Sequence, residues 1–346
     1  MSRFHKSHSN ALRTFESLES RIALTVAAEV VNGNLLVSGQ ADGAVAIVGS
    51  AGGEFSIVDN GVEIASVNGV NKNIRIDLPT QDANDVLSID LGGNSIRNFY
   101  ANMGSGDNEI DISNGVVRGV SMIRGAAGND SVTLAADLTL GNEANVWLGD
   151  GANDLDVAGQ LTKSLVVKTG SGVDTFFMAP GSRVGGDLRA TLGDGDNVAI
   201  LDGAIGRNLS MVTGAGNDRV TLSDLATVDG ATGISLGTGQ TPVEPADPVD
   251  EAPTDPTGGT QSEPVKCDDS VVLAPSSNVG GNATLRLGSG NNTAKIEGTI
   301  GGNLLVTSDN PNDAFDVANS TVVGRSTRIM PGQQMSFAHA RHTFHR

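Results

Sequence analysis

The sequence predicts an all-β chain wound as a right-handed parallel β-helix of about 22-residue coils behind an N-terminal β cap. Three observations carry that expectation. Nine times between Gly104 and Asp313 a turn, usually glycine-rich, ends in a short polar residue: Asn108, Asp130, Asn153, Asp174, Asn197, Asp218, Asp269, Asn292 and Asp313. The positions two and four residues beyond each one are apolar, from Ile110 and Ile112 in the first copy to Phe315 and Val317 in the last. Apart from one long gap, the copies follow one another at about 21–23 residues, the length of a single solenoid coil.

Alternate apolar positions define short strands with one buried face. Stacking the copies sets like over like, so strands pair in parallel about 4.8 Å apart and the apolar residues form internal files. Right-handedness follows from the general hand of parallel crossovers. A β-propeller would need about 40 residues per blade and antiparallel strands, against the one-coil register seen here. Two strands are legible per unit. In Gly193–Thr213 they are Asn197–Asp202 and Asn208–Val212, split by Gly203-Ala204-Ile205-Gly206.

Along the chain, residues 1–25 form a basic start with one short amphipathic stretch. Residues 26–103 read as strand and turn of less regular texture, a cap merging into the first imperfect coils. Asn60-Gly61, between Phe55–Val58 and Ile64–Val67, is a type I′ hairpin signal, and a hairpin there would cover an otherwise open sheet edge. Residues 104–239 and 268–332 carry the regular repeat. Between them, 240–267 is acidic and holds six prolines from Pro242 to Pro264, so it cannot supply a paired central strand. It is expected to leave the stack as an extended loop, which would set the Asp269 coil directly on the Asp218 coil. The alternative is a degenerate coil over 241–268 that keeps those two aspartates apart. Residues 333–346 are a basic tail with His339, His342 and His345.

Composition bounds the chemistry. The formal net charge is −18 over 346 residues, which disfavours nucleic acid and anionic membranes as partners and favours cations. Cys267 is the single cysteine, so no internal disulfide forms. All five histidines sit at the two ends, leaving the repeats without a Ser–His or Cys–His relay. No apolar run is long enough to span a bilayer as a helix.

Asparagine and aspartate alternate along the turn column, with the longer coils following Asp and the shorter following Asn. Carboxylates stacked at about 5 Å repel by roughly a kcal/mol or more near a surface. An intervening Asn can donate its amide protons to the Asp on either side, giving a ladder that needs no metal.

Two resemblances add to this reading. Phe15–Leu24 resembles the L-E-P-R-x-L-L motif of exported planctomycete proteins, matching at Leu18, Glu19, Arg21 and Leu24, with Ser20 in place of proline and Ala23 in place of leucine. It implies export, with an extracellular or cell-surface location. Gly125–Thr133 resembles the calcium-binding RTX nonapeptide G-G-x-G-x-D-x-U-x, with Ala126 for the second glycine, and Thr213–Thr221 resembles it with Thr213 for the first. That resemblance implies Ca2+ as a cofactor, held by turn oxygens. It covers single turns about 22 residues apart rather than tandem nonapeptides, and the Asp position is Asn in alternate copies. Asp130, Asp174, Asp218, Asp268 and Asp269 are the candidate ligands, with Asp218 and Asp269 favoured as the one Asp-on-Asp step.

The expected function is a non-catalytic structural or cell-surface protein, adhesive or envelope-associated, with extracellular partners. The competing expectation is a polysaccharide-degrading β-helix enzyme. Its charges would come from Lys163, Lys168, Arg183, Asp187, Arg189 and Arg207 in neighbouring coils, but no long loop walls a cleft near them.

Overall fold

A computed structural model describes residues 26–41, 43–80, 84–237 and 268–332. The export-like segment, the loop 240–267 with Cys267, and the tail 333–346 lie outside the described residues. Every element is a strand, and the strands assemble into two sheets of thirteen and one of ten. Among the described residues there is consequently no helix long and apolar enough to cross a membrane.

One coil shows how the sequence builds the stack. Ser121–Gly125 lies in the first sheet, Ser131–Leu134 in the second and Leu138–Leu140 in the third. Each pairs in parallel with its counterpart one coil later, at Ala144–Gly149, Asp154–Val157 and Gln160–Leu161. The repeat is thus a β-solenoid whose third sheet counts ten coils. The apolar pairs legible in the sequence are the inward files of the second sheet: Ile110, Val132, Leu155 and Phe176 stand in one, Ile112, Leu134, Val157 and Met178 in the other, all buried. Each such side chain contributes roughly 1.5–3 kcal/mol by leaving water.

The structure departs from the two-strand reading. Ala204–Ile205, inside the segment read as a connection, is a strand of the third sheet, pairing with Arg183–Val184 and Thr227–Val228. The two-residue strands of this sheet carry one inward apolar residue each (Val184, Ile205, Val228), so there was no alternation for a sequence pattern to display.

At the N-terminal end, Val26–Val31 and Asn34–Gly39 form an antiparallel hairpin about Asn32-Gly33, both at positive φ (51° and 80°). Ala44–Gly49, Phe55–Asp59 and Val62–Val67 form an antiparallel meander whose second turn is Asn60-Gly61 (49° and 80°). The hairpins join the stack because Asn34–Gly39 pairs in parallel with Asn73–Thr80 and Ala44–Gly49 with Val86–Asp90. They turn each long sheet away from continuing as an open parallel edge. The opposite end has no such fold-back among the described residues. There Phe315, Val317, Val323 and Ile329 are only partly buried.

Across the long gap the stack is continuous. Arg219–Leu222 pairs directly with Ser270–Leu273, Thr227–Val228 with Asn278–Val279, and Thr232–Ser235 with Ala283–Leu287. No coil stands between Asp218 and Asp269, so the alternative of a degenerate coil over 241–268 does not hold. Joining Gly239 to Asp268 would read Gly237-Thr238-Gly239-Asp268-Asp269. Gly193-Asp194-Gly195-Asp196-Asn197 and Gly214-Ala215-Gly216-Asn217-Asp218 share this pattern, and Leu236 ahead of it matches Leu192 of the Asn type rather than Thr213 of the Asp type.

Candidate functional site

The turn between the first and second sheets holds the polar column. Glycine two residues before Asn108, Asp130, Asn153, Asp174, Asn197, Asp218 and Asn292 lets consecutive turns touch. Gly128 and Gly151 sit at φ 133° and 123°, and a Cβ on either would overlap the carbonyl of the glycine one coil earlier, Gly106 and Gly128 respectively. This close approach brings the column side chains within hydrogen-bond reach of one another.

Each column residue donates its backbone N–H to the side-chain Oδ1 of the next coil. The bonds run Asn108 to Asp130 (3.1 Å), Asp130 to Asn153 (3.1 Å), Asn153 to Asp174 (3.0 Å), Asp174 to Asn197 (3.0 Å) and Asn197 to Asp218 (3.1 Å). The file continues with Asp218 to Asp269 (2.9 Å), Asp269 to Asn292 (2.9 Å) and Asn292 to Asp313 (2.7 Å). It also extends one coil earlier, where Asp85 donates to Asn108 Oδ1 at 3.2 Å. Asp85 was missed because residues 80–84 ahead of it include no glycine. Its signal was nonetheless present: Leu87 and Ile89 stand two and four residues beyond it, in strand pairing with the Asn108 coil.

The asparagines do not donate amide protons to the aspartates on both sides, as the sequence reading supposed; toward the preceding aspartate each accepts an N–H through Oδ1 instead. Asn108, Asn153 and Asn197 direct Nδ2 to Oδ1 of the following aspartate only, at 2.8, 2.9 and 3.0 Å. Their amide also serves the chain's own turn. Asn153 reaches the carbonyls of Gly149 and Gly151 (3.0 and 3.1 Å), and Asn197 those of Gly193 and Gly195 (both 2.9 Å). One Oδ1 of each aspartate between asparagines is therefore fully engaged, while among the described residues Oδ2 of Asp130, Asp174, Asp218 and Asp269 has no hydrogen-bond partner within ordinary geometry.

What lies beside that second oxygen differs from coil to coil. Five residues before Asp174 and Asp218 stand Thr169 and Thr213, whose hydroxyls favour the carboxylate; burial outweighs them and raises both groups above the usual carboxylate range. At the C-terminal end Ser308 donates to Asp313 Oδ2. Asp130 has Gly125 in that place, where a Cβ would overlap Oδ2. Burial then pushes Asp130 up to about 6, against the amide and N–H of Asn108. Asp269 goes furthest, up to about 7. Burial is the main cause, opposed by the Asp218 N–H and reinforced by the charges of Asp218, Asp313 and Asp268. Asp269 occupies an Asn-type turn without the amide that such a turn uses, and the glycine carbonyl to be served there is that of Gly237. The preceding inward residue is Leu236, so no hydroxyl stands in for it.

Asp268 does not join the buried file. It is exposed, on an outer file where hydrogen bonds run the opposite way: Asp268 N–H donates to Asn217 Oδ1 (2.8 Å) and Asn291 N–H to Asp268 Oδ1 (3.3 Å). Among the described residues no three His, Cys, Asp or Glu side chains gather as a metal would require. Along the alternating stretch, successive aspartates are two coils apart, about 9.6 Å, too far for one ion to join them. The donor set therefore does not fit a continuous calcium file. Among the described residues, Asp218 and Asp269 are the one pair of aspartates in adjacent coils of the file, each with its second carboxylate oxygen buried.

The charges of the competing enzymatic reading are also placed. Asp187 is bonded by Asn208 through N–H and Nδ2 (3.2 and 3.0 Å) and paired with Arg189 (2.7 Å) and Arg207 (3.7 Å). Burial opposes its ionisation, but the Asn208 bonds and the two guanidinium groups win and hold it below the usual range. A shallow depression of about 320 Å³ lies nearby, lined by Gln160, Leu161, Thr162, Arg183 and Gly185, with no carboxylate in its wall. Comparison with family models, curated proteins and solved structures finds no match to this chain.

Proposed function

We propose that the chain is a non-catalytic structural rod, exported to the cell surface or beyond and associated there with envelope or extracellular partners. The observation that supports this best is the polar column. Its acidic residues are consumed in joining coil to coil, each backbone N–H answered by the next side chain. A hydrolase or lyase needs its carboxylates exposed to a substrate. Here they are buried, and Asp187, largely buried as well, is neutralised by two arginines. Incubation with polygalacturonate and alginate tests the reading: no new reducing ends or unsaturated uronate should appear, and turnover of either substrate would overturn it. Protease shaving of intact cells tests the location, and a protected chain would count against it.

Calcium belongs in this reading at one step only, Asp218–Asp269. The ion would take the two Oδ2 atoms and water, and would offset the repulsion between the carboxylates. Calorimetric titration of the chain and of an Asp269→Asn variant discriminates. Equal calcium affinity in both would remove the site.

A further inference from the structure

Over the three coils from Glu109 to Lys168 the charge is sorted by face. Outward positions of the first sheet bring Arg124, Trp147 and Lys168 into one file over three successive coils, since Arg124 pairs with Trp147 and Trp147 with Lys168. The two cations hold the indole ring between them, 4.7 and 5.5 Å from its centroid. Outward positions of the second sheet carry Glu109 and Asp111, then Asp154 and Asp156 two coils on, with Ser131 and Thr133 between. Among the described residues none of these four carboxylates pairs with a cation, and neither Arg124 nor Lys168 pairs with a carboxylate. Asp154 titrates above the usual range because of partial burial and the neighbouring Asp156 charge.

The two patterns have the same period. Arg124 and Lys168 are two coils apart, and so are Glu109 and Asp154. Both separations are therefore about 9.6 Å at the strand spacing of a sheet. We propose that these rods associate side by side, the Arg124–Trp147–Lys168 file of one copy lying against the Glu109–Asp111 and Asp154–Asp156 pairs of a second copy. The contact is heterologous, basic face on acidic face, so it propagates from rod to rod; a two-fold pair through either face would set like charge on like. A second copy satisfies both unpaired files at once, whereas an acidic glycan would satisfy only the basic one. Three coils of strands this short offer well below the roughly 800 Å² per partner of a standard stable interface, so each contact is weak and salt-sensitive. The inference rests on the surface alone. A rod that assembles yet cleaves a polysaccharide would keep this inference and sink the proposed function.

Sedimentation velocity of the full chain at about 200 μM and pH 7.5, in 20 mM and in 500 mM salt, tests the idea. Concentration-dependent assembly is expected at low salt and monomer at high salt. Arg124→Glu with Lys168→Glu should remain monomeric, as should Asp154→Lys with Asp156→Lys. Mixing the two double variants should restore association, because one keeps the intact acidic face and the other the intact basic file. Circular dichroism confirms that each variant is folded, and single reversals, expected to halve or more the assembled fraction, replace any double variant that is not. Monomer at low salt, assembly indifferent to charge reversal, or no rescue on mixing would overturn the proposal. So would a monomeric chain that instead retains a soluble polyuronate through Arg124 and Lys168.

Discussion

Replacing Asp269 by Asn should stabilise the rod at slightly alkaline pH. Asp269 is the one aspartate in an Asn-type turn, with Asp218 before it in the file and no hydroxyl beside its second oxygen. Its folded-state value of about 7, against 3.8 for a free carboxyl, means that the native chain holds a proton there between about pH 4 and 7 which the unfolded chain has released. Where the native state binds more protons, stability falls as pH rises. The stabilisation is therefore complete below about pH 4 and is lost as pH climbs through about 7. Three pK units correspond to about 4 kcal/mol at 1.36 kcal/mol each, and solvent screening at a turn roughly halves this, to about 2 kcal/mol. The amide carries no charge and gains the Gly237 carbonyl as acceptor, by analogy with Asn153 and Asn197. Urea unfolding at pH 5 and pH 8 with a calcium chelator present measures the effect. Asp269→Asn should gain about 2 kcal/mol at pH 8 and about 0.8 kcal/mol at pH 5, and show a shallower fall between them, the remainder belonging largely to Asp130. Equal stability of variant and wild type at pH 8, or a wild type indifferent to pH from 5 to 8, would refute the reasoning.

Three further outcomes follow from the same column. Asn197→Asp removes the donor to Gly193, Gly195 and Asp218 and places a third carboxylate between two others, so urea midpoints at pH 8 should report a loss of about 3–4 kcal/mol. Gly151→Ala must adopt φ near 123° and overlaps the Gly128 carbonyl; the same measurement should show a loss of at least about 2 kcal/mol. Deleting 240–267 regenerates a Gly-x-Gly-x-Asx turn, so the shortened chain should keep its circular dichroism spectrum and lie within about 1 kcal/mol of wild type.

How much of this could be read from the sequence depended on what each position repeats. The second-sheet files were legible because two inward apolar residues recur at fixed offsets from the column, as Val132 and Leu134 do from Asp130. The third sheet was not, since a two-residue strand such as Ala204–Ile205 has no period. The column itself was visible except at Asp85, where residues 80–84 ahead of it include no glycine. Its bonding direction was hidden, because sequence names the asparagines without saying that their amides face the next coil and their own glycine carbonyls. The hydroxyls of Thr169, Thr213 and Ser308, five residues ahead of their aspartates, were also overlooked. They recur only in Asp-type turns, and a search based on glycine passes over them. The Asn32-Gly33 hairpin carried the same turn signal as Asn60-Gly61.

The most direct test is a disulfide placed across the long gap, in a Cys267→Ser background. Thr221 and Val272 are adjacent partners in the second sheet, while Thr221 and Lys295 are two coils apart. Adjacent parallel strands bring Cα atoms to about 4.8 Å, within disulfide range, and two coils separate them by about 9.6 Å, beyond it. Oxidation of Thr221→Cys with Val272→Cys should close an intramolecular bridge that shifts mobility on a non-reducing gel, and Thr221→Cys with Lys295→Cys should remain reduced. A bridge in the second pair but not the first would contradict direct stacking of the Asp218 and Asp269 coils.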